Sequence, residues 1–135
     1  DDCTYKEYST SIILNDYNGT EKDIVIPGEF NGKQVKIGTM NCFSNIKVTM
    51  TSLTFKEYNG KKVQTPNTFK SVFENFTALM SADLSGLDTT DVTNMNSMFS
   101  NCTGNSFNPD VSNWNTSSVT NMGFLFNYCT GNSFM

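Results

Sequence analysis

Apolar residues in the C-terminal half of the chain recur three, four and three positions apart: Val92, Met95, Phe99 and Cys102, then Val119, Met122, Phe126 and Cys129. The two sets lie 27 positions apart inside nearly duplicated text, DVTNMNSMFSNCTGNSF from Asp91 to Phe107 and SVTNMGFLFNYCTGNSF from Ser118 to Phe134. That spacing puts four side chains on one face of a short helix. Thr90 or Asp91 is placed to cap its first amides, and Gly104 suits its exit. Before each copy stands a short alternating segment, Asp83-Leu84-Ser85 and Asp110-Val111-Ser112, which reads as a strand with Leu84 and Val111 turned inward. A fixed period in this range marks a solenoid, because each coil exposes an apolar face that only its neighbour can cover.

One strand and one helix per coil of about 27 residues is the leucine-rich-repeat plan, so the predicted fold class is an α/β solenoid. The pattern changes upstream. Between Tyr5 and Ile37 lie a β-branched run at Ile12 and Ile13, an Asn18-Gly19 turn, alternating Ile24-Val25-Ile26, and Asn31-Gly32, which together predict an antiparallel cap over the first coil. Phe43-Ser44-Asn45 recurs as Phe99-Ser100-Asn101, and Phe69, Val72, Phe73 and Phe76 align with Met95, Met98, Phe99 and Cys102 at an offset of 26. The stretches Val48 to Phe55 and Tyr58 to Val63 read as strands joined by an Asn59-Gly60 turn. The organisation is one domain, 1–135: cap and first strand segment over 1–37, irregular coils over 38–80, and two regular repeats over 81–135, the last incomplete.

Charge changes the picture by exclusion. Against 13 acidic residues stand 9 basic ones, scattered except for Lys61-Lys62, a net charge of −4. Phosphate backbones need clustered Lys and Arg, so nucleic acid is not an expected partner. The chain has no histidine, which removes the usual general base of Ser and Cys nucleophile sites and the commonest metal ligand. No apolar run is long enough to insert in a bilayer. Beginning at Asp1 without Met, the sequence reads as a mature or trimmed chain.

Cys102 and Cys129 occupy one repeat position and are expected to form a ladder of small buried side chains, with a disulfide between them as the alternative. Cys3 and Cys42 lie outside the clear repeats. A staple between them would imply an oxidising compartment. Asn94 and Asn121 are expected to bond backbone between coils as an internal asparagine ladder, and Trp114, which matches Leu87, to lie in the core, with a sugar-stacking platform as its other reading.

Candidate chemistry sits on the predicted strands. Asp83, Ser85, Asp110 and Ser112 recur on the exposed side of neighbouring coils and are the residues assigned to a partner. Paired carboxylates one coil apart also suit calcium or glycoside cleavage, but a repeat protein stacks any strand residue in a column, so no metal, cofactor or catalytic residue is assigned. Hydroxyl rows at Thr89, Thr90 and Thr93 with Thr116, Ser117 and Thr120 suit either ice binding or the satisfaction of tight turns.

The phrases LSGLDTTDVTNMNSMFSNC and VSNWNTSSVTNMGFLFNYC resemble the repeats of BspA-like leucine-rich-repeat surface proteins, and YNGTEKDIVIPGEFNGKQVKIG is similar to the other repeat type of that family. The resemblance implies an extracellular or cell-surface, non-enzymatic adhesion protein of bacteria or mucosal protozoa. Its expected partner is a host or cell-surface protein, or a glycan. A carbohydrate-binding protein and a structural spacer of a longer array are the alternative functions.

Overall fold

A computed structural model describes residues 3–38, 42–104 and 107–129. The chain winds into a β-solenoid of about three turns with almost no helix. One side is a sheet of β1 (Cys3–Glu7), β2 (Ser11–Tyr17), β5 (Lys33–Ile37), β7 (Val63–Gln64) and β9 (Leu87–Asp88), with β4 (Glu29–Phe30) hairpinned onto β5. The second sheet orders β3 (Asp23–Pro27), β6 (Ser52–Lys56), β8 (Ser81–Asp83) and β10 (Asn108–Asp110), all parallel. A stack of turns closes the third side.

The core is the inside of this three-sided tube. Ile24, Leu53 and Ala82 stand in register on the second sheet, and Ile12 pairs with Val35 on the first, all buried. Leu84 is fully buried and Val111, one coil on, packs against the core from a partly buried position. The backbone N–H of Leu84 donates to Asp110 O at 3.2 Å. Residues one period apart are therefore spatial neighbours, as the repeat requires.

The expected helices are absent. Met95 to Cys102 and Met122 to Cys129 form tandem β-turns instead. N–H groups of Met98 and Cys102 donate to the carbonyls of Met95 and Phe99, three residues back, and Leu125 and Cys129 repeat this with Met122 and Phe126. The third residue of each turn is left-handed: Ser71, Asn75, Ser97, Asn101, Phe124 and Tyr128 all have φ between 56° and 67°, as a type II turn demands. The intervening amides reach the next coil. Met95, Ser97, Phe99 and Asn101 donate to Asn121, Gly123, Leu125 and Asn127 at 2.7–2.9 Å, and Phe69, Ser71, Phe73 and Asn75 donate in the same way to Asn94, Asn96, Met98 and Ser100. A helix would close its N–H groups on itself and leave none for the neighbouring coil. Composition favours the turns, since VTNMNSMFSNC holds Asn and Ser where a helix would want Ala, Leu, Glu or Lys.

Further expectations are corrected with it. Gly104 serves no helix exit; its Cα lies against the Leu79 carbonyl, where a Cβ would stand 2.3 Å from that oxygen. Asn18-Gly19 closes no hairpin, because it links β2 of one sheet to β3 of the other; the antiparallel hairpins are β1–β2 and β4–β5, the latter turned by Asn31-Gly32 with φ of 53° and 75°. Asn59-Gly60 makes only a local bridge between Tyr58 and Lys61, and β6 and β7 on either side belong to different sheets. No helix among the described residues is long and apolar enough to cross a membrane.

Candidate binding face

The outer side of the second sheet carries two of the four residues that the sequence assigned to a partner, Asp83 and Asp110, at the ends of β8 and β10. Ser85 and Ser112 lie in the turns that follow, because the strands end at the aspartates and do not run over Asp83-Leu84-Ser85 and Asp110-Val111-Ser112 as predicted. Strand alternation turns Asp23, Val25, Ser52, Thr54, Ser81 and Asp83 away from the core. Parallel pairing then sets Val25, Thr54, Asp83 and Asp110 in one column and Asp23, Ser52, Ser81 and Asn108 in another. Adjacent strands are about 4.8 Å apart, so Asp83 and Asp110 are near neighbours, and both are exposed.

Each aspartate folds its own coil. Asp83 Oδ1 accepts from the backbone N–H of Ser85 at 3.1 Å and from its hydroxyl at 2.7 Å, and Asp110 accepts from Ser112 at the same two distances. These are Asx turns that end the strand. The Ser112 hydroxyl, then its N–H, holds the Asp110 carboxyl below the ordinary carboxylate range. At neutral pH Asp110 is therefore anionic, and Oδ1 of each aspartate is bound within its own turn. The structure brings Asp83, Ser85, Asp110 and Ser112 together as two copies of one motif. Among the described residues no three His, Cys, Asp or Glu converge as metal ligands would.

The other repeated side chains hold coils together. The Thr93 and Thr120 hydroxyls donate to the carbonyls of Asn67 and Thr93, one coil back. The buried Thr89 hydroxyl donates to Asn115 O and accepts from Asn115 N, both at 3.0 Å. Trp114 donates its indole N–H to Leu84 O at 3.0 Å and stacks on Phe99 at 6.3 Å, so its ring packs against the core. Among the described residues, the Asn94 and Asn121 side chains do not reach backbone of a neighbouring coil as an internal ladder would: their Oδ1 atoms accept from the N–H of Asn96 and Gly123 two residues on, in Asx turns. Their one bond between coils there is side chain to side chain, from Asn96 Nδ2 to Asn121 Oδ1 at 3.3 Å.

Cys42, Cys102 and Cys129 are thiols joined in no disulfide, so neither the Cys102–Cys129 bridge nor a Cys3–Cys42 staple is formed. Cys102 Sγ donates to Phe73 O at 3.2 Å and Cys129 Sγ to Phe99 O at 3.1 Å, a ladder in which each thiol ties its coil to the one before. Burial, then the neighbouring Cys129 thiol, pushes the Cys102 thiol up to about 12. Burial also raises the thiols of Cys42 and Cys129.

Two concave regions escaped the sequence reading. An apolar cleft of 160 Å³ lies between the β1–β2 hairpin and β3, walled by Cys3, Tyr5, Leu14, Ile26 and Phe30 among others. A groove of 520 Å³ crosses the turn stack near Phe124 and Tyr128. The signal for the second was present in the alignment: Phe124 and Tyr128 fall where the preceding copy has Ser97 and Asn101.

The family model described as "Mycoplasma protein of unknown function, DUF285" matches residues 37–133. No curated protein and no solved structure matches the chain.

Proposed function

The chain belongs to the DUF285 family, and on that premise we propose that it is a binding or adhesion module, secreted or held at the cell surface, that meets a macromolecular partner across the outer face of its second sheet. The observation that carries this reading is the in-register repetition of Asp83–Ser85 as Asp110–Ser112 with the same internal bonds. A rigid stack presents anionic and hydroxyl groups at a fixed interval, and a protein surface with basic groups at that interval binds by matching it. The likeness of the two regular repeats to BspA-like surface proteins supports the same location and role.

Adherence of protein-coated beads to cultured epithelial cells tests it. Beads bearing the native chain bind, and the double variant Asp83→Lys/Asp110→Lys binds severalfold less while its far-ultraviolet circular dichroism is unchanged. Equal adherence of the double variant rejects this face, and beads that never adhere reject the adhesive reading.

A specific observation favours a second reading, that this stack is one section of a longer array. Leu84, Leu87, Val92, Met95 and Phe99 are at most 1% exposed, whereas Met122 is 44% exposed and Val111, Trp114, Val119 and Phe126 are only partly buried. An added coil would cover them. Fusing a copy of residues 108–134 after Phe134 should raise the thermal midpoint; an unchanged midpoint counts against this reading.

A further inference from the structure

The turn stack departs from its own rule in one place. Each tandem turn needs a left-handed residue at its third position, and segments 69–76 and 95–102 supply Ser71, Asn75, Ser97 and Asn101. Serine and asparagine tolerate that backbone because their short polar side chains bond locally. Segment 122–129 places Phe124 at φ 56° and Tyr128 at φ 60° instead. Large rings are disfavoured there, and burial offers no return: Phe124 is 67% and Tyr128 72% exposed. Two aromatic rings held in a costly conformation and displayed to solvent are features the fold does not require, and strained, exposed positions of this kind concentrate at binding sites.

Both rings border the 520 Å³ groove, whose other walls include Glu74, Asn75, Asn101, Asn127 and two serines. Asn101 Nδ2 donates to Asn75 Oδ1 at 2.9 Å, which leaves the Asn75 amide N–H groups and the Asn101 oxygen to bond a guest. Together with the Glu74 carboxylate, the groove offers donors and acceptors side by side next to flat apolar rings.

We propose that this groove binds a neutral carbohydrate, with Phe124 and Tyr128 stacking on the C–H face of a pyranose and Glu74, Asn75, Asn101 and Asn127 bonding its hydroxyls. Sugar hydroxyls both donate and accept, which amides match and which a purely apolar or purely charged wall does not. Among the described residues no Lys or Arg lines the groove and Glu74 does, so phosphate, sulfate and uronate find no counter-charge. A wholly apolar guest would strip water from the amides and return nothing. The site lies on the turn stack, apart from the Asp83–Asp110 face, and does not rest on the function proposed for that face.

Ligand-observed saturation-transfer NMR with lactose, cellotriose and chitotriose tests the proposal on the native chain and on Phe124→Ser/Tyr128→Asn, which installs the residues of the preceding copy. At least one sugar gives a signal with the native chain, and the double variant weakens its affinity roughly tenfold or more while its thermal midpoint is equal or higher. A folded native chain silent with all three sugars overturns the proposal, and so does undiminished binding by the double variant. Amide shift mapping on the native chain covers the case of a variant that fails to fold. Shifts clustered at Asn101, Phe124, Asn127 and Tyr128 support the site; shifts confined to Trp114, to the second sheet, or seen only with an added peptide overturn it.

Discussion

The rings of Phe99 and Phe126 lie parallel, 5.4 Å apart at their centroids and 3° between planes. Phe73 stacks on the other side of Phe99 at 5.6 Å and 10°, and Phe43 follows at 6.4 Å and 18°. One aromatic column thus runs along the stack and ties the degenerate early copies to the regular late ones.

Removing a ring from the middle of this column opens a cavity that four aromatic neighbours line. Phe99 touches Phe73, Phe107, Trp114 and Phe126 and is fully buried. Phe99→Ala is expected to cost about 3–5 kcal/mol, measured by urea denaturation. Phe126→Ala, at the partly covered end, should cost about 1–2 kcal/mol. Equal losses at the two positions would mean that the column does not stack coil on coil.

The period, the stacking and the inward positions of Leu84 and Val111 were legible because they follow from repetition alone: a residue that recurs every 27 positions must recur in space. The helix was not, because Met95, Phe99 and Cys102 share a face equally well in an α-helix and in tandem type II turns. What separates the two is where the N–H groups go, and spacing carries no record of that. Asn101 and Asn75, residues at ease in left-handed backbone, were the available clue. The Asp83 and Asp110 column was legible for the same reason as the core. The groove at Phe124 and Tyr128 was missed although both replace small polar residues of the preceding copy, because its walls come from three coils and the left-handed backbone that makes their exposure unusual is not written in the sequence.

Coil contact is closest where a carbonyl meets a glycine. A Cβ on Gly86 would stand 2.1 Å from Phe55 O and 2.7 Å from Lys56 N, both backbone atoms of the preceding coil. Gly86→Ala must push β6 and the Gly86 turn apart, at a cost of about 1–3 kcal/mol or more. Gly60→Ala is the control, since no atom lies within 4 Å of its Cβ; it should cost only the penalty of its left-handed backbone, about 1–2 kcal/mol. Thermal midpoints of the two variants decide the order.

Thr89 is a polar side chain the core cannot lose. Its hydroxyl both gives and takes a bond with the Asn115 backbone at 3.0 Å, and it is 2% exposed. Thr89→Val keeps the shape and strands two backbone groups, for an expected loss of about 1–3 kcal/mol. Amide exchange at Asn115 should accelerate in step; slow exchange there in the variant would show that another acceptor replaces the threonine.

Alkaline pH should loosen the stack through its thiols. The Cys102 thiol is raised from 9.0 to about 12, mainly by burial and next by Cys129, so the folded chain keeps the proton while the unfolded chain releases it. A folded value above the unfolded one gives stability that is complete below the ordinary thiol value and drains away as pH climbs toward 12. By pH 10 the loss traceable to Cys102 is about 1–2 kcal/mol. Cys102→Ala loses packing and the bond to Phe73 O at every pH, so its urea midpoint is lower throughout, but its fall between about pH 7 and pH 10 is shallower than that of the native chain. The difference between the two slopes isolates the thiol from every group the two chains share. Parallel slopes would place the Cys102 sulfur in water and undo the ladder in which each thiol holds the carbonyl of the coil before it.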